Sequence, residues 1–109
     1  MDAVAGLFGA AHPGVSGYQL SRGAPNPFTD RTSFTFDLPR AARVLLRVYD
    51  PQGRVVRTLV NDFRTGPARH TVDWDGLRDD GRPAGSGVYF VRLLTPEYST
   101  SQRVMLTGK

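Results

Sequence analysis

The sequence predicts an all-β chain, an antiparallel β-sandwich of six to seven strands. Three observations carry the prediction. Short runs alternate apolar and polar residues with period 2, the mark of a strand with one buried face. Clusters of Gly, Pro, Asp and Asn punctuate these runs at about the spacing of a sandwich. The charged residues are skewed as well. Lys109 is the one Lys among 14 cationic residues, leaving 13 Arg, and Glu97 is the one Glu among 10 acidic residues, leaving nine Asp. Asp suits turns and Glu suits helices.

The chain is organised around residues 74–90, which begin on Trp74 and end on Tyr89-Phe90. Four Gly, one Pro and three Asp lie between these aromatics. Gly reaches positive φ without a Cβ clash, and Asp caps its own backbone two residues on. The stretch is expected to be a long tight connection between two strands, with Trp74 and Tyr89 anchoring its ends in a core.

The other elements follow in order. Residues 1–17 are rich in Ala and Gly, lack a basic segment of signal-peptide type, and are expected to be a flexible linker. Residues 18–109 form the domain. Tyr18-Gln19-Leu20-Ser21 alternates and suits a short first strand. Pro25 and Pro27 make the next segment a rigid loop with Phe28 tucked in as an anchor. Residues 32–38 alternate strictly, with Phe34, Phe36 and Leu38 inward and Thr35 and Asp37 outward.

In residues 43–50, Val44, Leu46 and Val48 face inward, and Arg43, Leu45, Arg47 and Tyr49 outward. Asp50-Pro51-Gln52-Gly53 has the composition of a type I turn. Residues 54–60 form the return strand, whose broken period calls for a bulge near Val55-Val56. Residues 61–68 are expected to be a loop. Residues 69–74 then put His70, Val72 and Trp74 on one face. In residues 88–94, Tyr89, Val91 and Leu93 are assigned inward and Phe90 and Arg92 outward, with the opposite phase open because both faces are apolar. A turn at Thr95-Pro96-Glu97 leads to the last strand, residues 99–107.

At 109 residues the chain supports one domain with a modest core, and 39% hydrophobic residues make it globular rather than disordered. It has no cysteine, so packing and hydrogen bonds carry its stability. No stretch approaches the ~20 apolar residues of a transmembrane helix. The net charge is +4, but the Arg residues are spread along the chain, which fits a solvated β surface better than a nucleic-acid site.

Candidate chemistry is sparse. Asp73, Asp75, Asp79 and Asp80 gather oxygen ligands in a short stretch, as a Ca²⁺ site would. The spacing is not that of an EF-hand, and Asx-turn capping accounts for the same residues, so no metal or cofactor is assigned. His12 and His70 are the two histidines, and neither stands at a spacing that would activate Ser33 or Ser86. No catalytic residue is assigned. Tyr49 and Phe90 are the two aromatics expected outside, where they would form a small contact patch if close together. Trp74, Tyr89, Phe34 and Phe36 are assigned to the core.

The ordered set of motifs resembles a known superfamily. Ala24-Pro25-Asn26-Pro27-Phe28 is similar to the opening of C-terminal sorting domains of the type IX secretion system. Phe34–Pro39, Val44–Asp50, Trp74-Asp75-Gly76, Asp80-Gly81-Arg82-Pro83, Gly85-Ser86-Gly87-Val88-Tyr89-Phe90 and the basic-then-apolar end follow in the same order. The pattern also resembles the immunoglobulin-like domain of the flagellar hook-capping protein.

The resemblance implies an immunoglobulin-like sandwich without catalysis, and a secreted or cell-surface protein that passes through the periplasm. Its partners would be outer-membrane secretion and attachment proteins, and catalytic or adhesive domains N-terminal to it in a parent chain. Pro25, Asn26, Pro27, Phe28, Trp74, Asp75, Gly76, Gly81, Gly87 and Tyr89 would be the structural motif. Arg103, Val104, Met105, Leu106 and Lys109 would be the sorting tail, read as an edge strand by its partner. A hook-capping-like assembly module and a carbohydrate- or cell-wall-binding module are the alternative functions.

Overall fold

The computed structural model describes residues 17–108, so most of the expected linker and Lys109 lie outside the described residues. Seven strands form: β1 (Gln19–Leu20), β2 (Thr32–Leu38), β3 (Ala42–Tyr49), β4 (Val55–Arg64), β5 (Ala68–Trp74), β6 (Gly87–Thr95) and β7 (Tyr98–Leu106). One sheet has the order β1-β2-β5 and the other β4-β3-β6-β7, all pairs antiparallel. The alternating side chains of the two sheets face each other, as the period-2 pattern requires.

The core follows the predicted phases. Phe34, Phe36 and Leu38 from β2, Val44, Leu46 and Val48 from β3, and Val91 and Leu93 from β6 are fully buried. The open phase of β6 resolves with Tyr89 inward at 6% exposure and Phe90 outward at 38%. Asp37 keeps its outward phase but is buried. Arg69, opposite it in the ladder, lays its guanidinium on the carboxylate with bonds of 2.7 and 3.0 Å.

The turn after β3 forms as its composition predicts. Gly53 N–H donates to the Asp50 carbonyl at 2.9 Å, and Gly53 adopts φ +86°. Asp50 Oδ1 accepts the Gln52 and Arg54 amides, and the Arg54 amide is the main reason its carboxyl titrates below the usual range.

Two expectations need correction. Residues 61–64 are not a loop. They continue β4, paired with Leu45, Val44, Arg43 and Ala42. Asn and Asp are weak strand formers, but β3 offers a ladder that overrides propensity. The β3–β4 pair also has two irregularities where one was expected. Val56 is the extra residue at the first, as predicted, and Leu59 is the extra residue at the second, between the partners Thr58 and Val60. Together they restore inward positions for Val56 and Val60.

The β4–β5 connection is tight because Gly66 lies on the backbone of Arg40. A Cβ there would stand 2.5 Å from the Arg40 carbonyl carbon and 2.7 Å from its oxygen. Gly66→Ala must therefore move main chain. A loss of about 1–3 kcal/mol is expected from the overpacking, read as a lower urea midpoint at unchanged m-value.

Candidate functional site

Residues 24–28 leave β1, run past β2 and end against β7. The Ala24 amide donates to Ser33 and the Ser33 amide to Ala24, both at 3.0 Å, which ties the segment to the first sheet. Thr32 Oγ1 donates to the Pro25 carbonyl at 2.7 Å. The segment then reaches the second sheet through Asn26. Asn26 Nδ2 donates to the Arg103 carbonyl at 3.2 Å, and the Met105 amide donates to Asn26 Oδ1 at 3.0 Å. One side-chain amide thus supplies the donor and acceptor that a neighbouring strand would supply.

Phe28 continues the pairing with its backbone. Its N–H donates to the Met105 carbonyl at 2.9 Å, and the Thr107 amide donates to its carbonyl at 2.8 Å. Gln102 Nε2 donates to the Leu20 carbonyl at 2.9 Å one step earlier. From Arg103 to Thr107 the outer edge of β7 is therefore occupied. The tail does not offer the open edge that the sequence suggested.

The tail side chains divide by face. Val104 and Leu106 are fully buried and belong to the core, while Arg103 and Met105 point outward, Met105 at 40% exposure. Val104 and Leu106 thus support the fold. Lys109 lies outside the described residues.

The same aromatic cluster holds residues 75–86. The buried Trp74 ring packs 5.4 Å from Phe28 and 5.3 Å from Tyr89, edge-on to the latter. Its indole N–H donates to the Leu77 carbonyl at 2.9 Å. Tyr89 Oη lies 2.6 Å from the Ala84 carbonyl and 2.7 Å from that of Gly85, with one proton between them. Desolvation holds this phenol above the usual tyrosine range. Gly76 accepts the Ala84 amide at 2.9 Å, and Gly81 turns the chain at φ +86°. Gly87, at φ +153°, opens β6.

The four Asp candidates do not converge on a common centre. Asp75 Oδ1 accepts the Leu77 amide, and Asp80 Oδ1 accepts the Arg82 amide, both two residues on. Asp79 Oδ1 accepts the Thr58 amide of β4, and Asp73 accepts Ser33 Oγ. The Arg57 guanidinium stands 3.2 Å from Asp75 and 3.9 Å from Asp79. Among the described residues no group of three or more His, Cys, Asp or Glu is placed to hold a metal ion.

His70 stacks on Phe36 at 5.2 Å, and its Nε2 lies 2.9 Å from the Thr65 carbonyl. Ser33 bonds Asp73, not a histidine. His12 is outside the described residues. Glu97 is held below the usual carboxylate range by the Tyr18 hydroxyl and then Arg40, at 2.9 and 3.0 Å. It fastens the β6–β7 turn to the chain ahead of β1. Tyr18 itself titrates above the usual tyrosine range, from desolvation first and this bond second.

Tyr49 and Phe90, expected outside, are direct partners across β3 and β6. Sequence reasoning left out Phe63 and Leu94, exposed at 65% and 39% on the same outer face, and the pairing of Arg47 with Arg92 there. The outward phase of Leu94 was readable from its strand, whereas that of Phe63 follows only from the pairing with Arg43, and the adjacency of the row depends on register.

Residues 17–95 match the family model of the FlgD Ig-like domain. No curated protein sequence matches the chain. Among solved structures, it is similar to dimeric latent PorU from Porphyromonas gingivalis, with TM-score 0.63 and 18% identity over 88% of this chain. It is also similar to PorZ of the same organism, described as an essential bacterial surface component of the type-IX secretion system. That match has TM-score 0.55 and 23% identity over 84% of this chain. The chain spans about a tenth of these structures, 10% of PorU and 12% of PorZ, so the likeness is one of fold. By the family model that covers most of its length, the chain belongs to the FlgD Ig-like domain family.

Proposed function

We propose that the chain is a non-catalytic domain that directs a larger exported protein to outer-membrane secretion machinery or holds it at the cell surface. The observation that carries this reading is the clamp of Asn26 and Phe28 on residues 103–107. It joins the opening motif and the tail into one surface, from which Arg103 and Met105 project. The fold shared with PorU and PorZ, and the small share of those chains that it spans, support a module of a larger protein. Its partners would be outer-membrane secretion or attachment proteins and the other domains of its parent chain. The family match favours a second reading, an assembly module of the hook-capping kind.

The clamp changes how recognition by the tail must work. Adding a strand at β7 would displace Asn26 and Phe28 from the Arg103–Thr107 edge, so the partner reads outward side chains instead. Removing residues 103–109 would also remove Val104 and Leu106 from the core, so that deletion tests folding and not recognition.

Two outcomes are expected. A reporter fused to residues 18–109 should be exported by a host with a type IX machine. Export should fall at least about tenfold with Arg103→Glu and Met105→Glu together, while the fusion keeps its melting temperature. Undiminished export would redirect the search to assembly partners. Separately, Asn26→Ala should cost about 1–2 kcal/mol, because it removes two hydrogen bonds to the β7 backbone. Amide exchange at Met105 should accelerate far more than exchange at Val91, whose ladder partners remain.

A further inference from the structure

The outer face of the four-stranded sheet is unbalanced in charge. Its outward residues form rows across the strands: Val55–Tyr49–Phe90–Arg103, then Thr58–Arg47–Arg92–Ser101, then Asn61–Leu45–Leu94–Ser99. The middle row sets two arginines in direct cross-strand register. Side chains so placed stand about 5 Å apart at Cβ, and like charges there repel. Among the described residues no Asp or Glu occupies an outward position of this sheet. Asp62 has the opposite phase and pairs with Arg64.

Away from this face five arginines are neutralised. Arg40, Arg54, Arg57, Arg64 and Arg69 each pair with a carboxylate at 3.2 Å or less. On the outer face, among the described residues, Arg92 reaches only Ser99 Oγ at 3.2 Å, and Arg47 Nε is buried without a hydrogen-bond partner. The flanking rows carry exposed apolar side chains, with Phe90 at 38% and Leu94 at 39%. Fold stability gives no reason to leave apolar rows and an unanswered arginine row side by side on one face.

We propose that this face docks an acidic–apolar protein segment. The segment lies extended along β3 and β6, with an apolar residue, a carboxylate and an apolar residue at alternate positions. Alternate residues of a strand are about 7 Å apart, the spacing of the three rows. The central carboxylate takes the Arg47 and Arg92 guanidiniums, whose planar fork matches it. The apolar residues cover Tyr49–Phe90 on one side and Leu45–Leu94 on the other. A second copy of this chain is a poor occupant, because two-fold pairing would set arginine against arginine. Single-stranded nucleic acid would use stacked aromatics along its path, whereas one of the two flanking rows here is aliphatic. This surface lies on β3 and β6 and goes beyond the export reading, which concerns the tail.

The test uses the ¹⁵N-labelled 109-residue chain. The probe is a cyclic β-hairpin peptide displaying Phe, Glu and Leu at alternate positions of one face. Amide shifts should cluster at residues 45–49 and 88–94. The peptide with Gln for Glu should bind at least about tenfold more weakly, and Arg47→Gln/Arg92→Gln should lose the difference between the two peptides. If that variant loses its dispersed spectrum, the Lys/Lys variant replaces it and should keep only part of the difference. No shifts at millimolar peptide, shifts on another face, or equal binding of the two peptides would overturn the proposal. So would tighter binding of heparin or single-stranded DNA at the same residues.

Discussion

A buried indole must find an acceptor for its one N–H, and most of this domain's distinctive features are arranged around that need. Trp74 meets it with the Leu77 carbonyl, which folds the following chain back over the ring. Tyr89 closes the far end of that connection, with its ring on Trp74 and its hydroxyl on the Ala84 and Gly85 carbonyls. On the other side Phe28 packs on the same indole, and its backbone is bonded into β7. The long loop, the opening motif and the last strand therefore share one anchor. None of the three is an appendage.

This arrangement bears on how such a domain handles its edges. Two open sheets expose four edge strands, and an unpaired edge invites aggregation. Here the β7 edge is closed by an asparagine side chain and a phenylalanine backbone. The β4 edge is met by the loop, through Asp79, whose amide donates to the Val56 carbonyl and whose carboxylate accepts the Thr58 amide. Arg57 reaches Asp75 and Asp79 from the same strand. Of the acidic residues that resemble a metal-binding loop, Asp79 covers the edge and Asp75 and Asp80 cap turns.

How much of this was readable in the sequence depends on the range of the interaction. Alternation is local, so the inward sets of β2, β3, β5 and β6 were legible, as was the bulge at Val56. The Asp50 turn was legible for the same reason. The continuation of β4 through Asn61 and Asp62 was not, because only the partner strand makes those residues extended. The clamp was invisible as well. Asn26 and Met105 are 79 positions apart, and nothing local says that a loop asparagine will stand in for a strand. The tail looked like a free edge because its occupant lies at the other end of the domain.

The same limit explains the arginines. Composition alone reads as a scattered basic surface, and scatter argues against a site. Register changes that conclusion, since pairing Arg47 with Arg92 concentrates charge that is dispersed along the chain. Five other arginines are each met by a carboxylate. Asp37 is held by Arg69 in just such a cross-strand pair. A chain that pairs Arg57 and Arg64 on β4 and Arg69 on β5 with carboxylates, yet sets Arg47 opposite Arg92 between exposed Phe90 and Leu94, departs from that pattern on one face. Departures of that kind concentrate where a surface is shaped for something outside the fold.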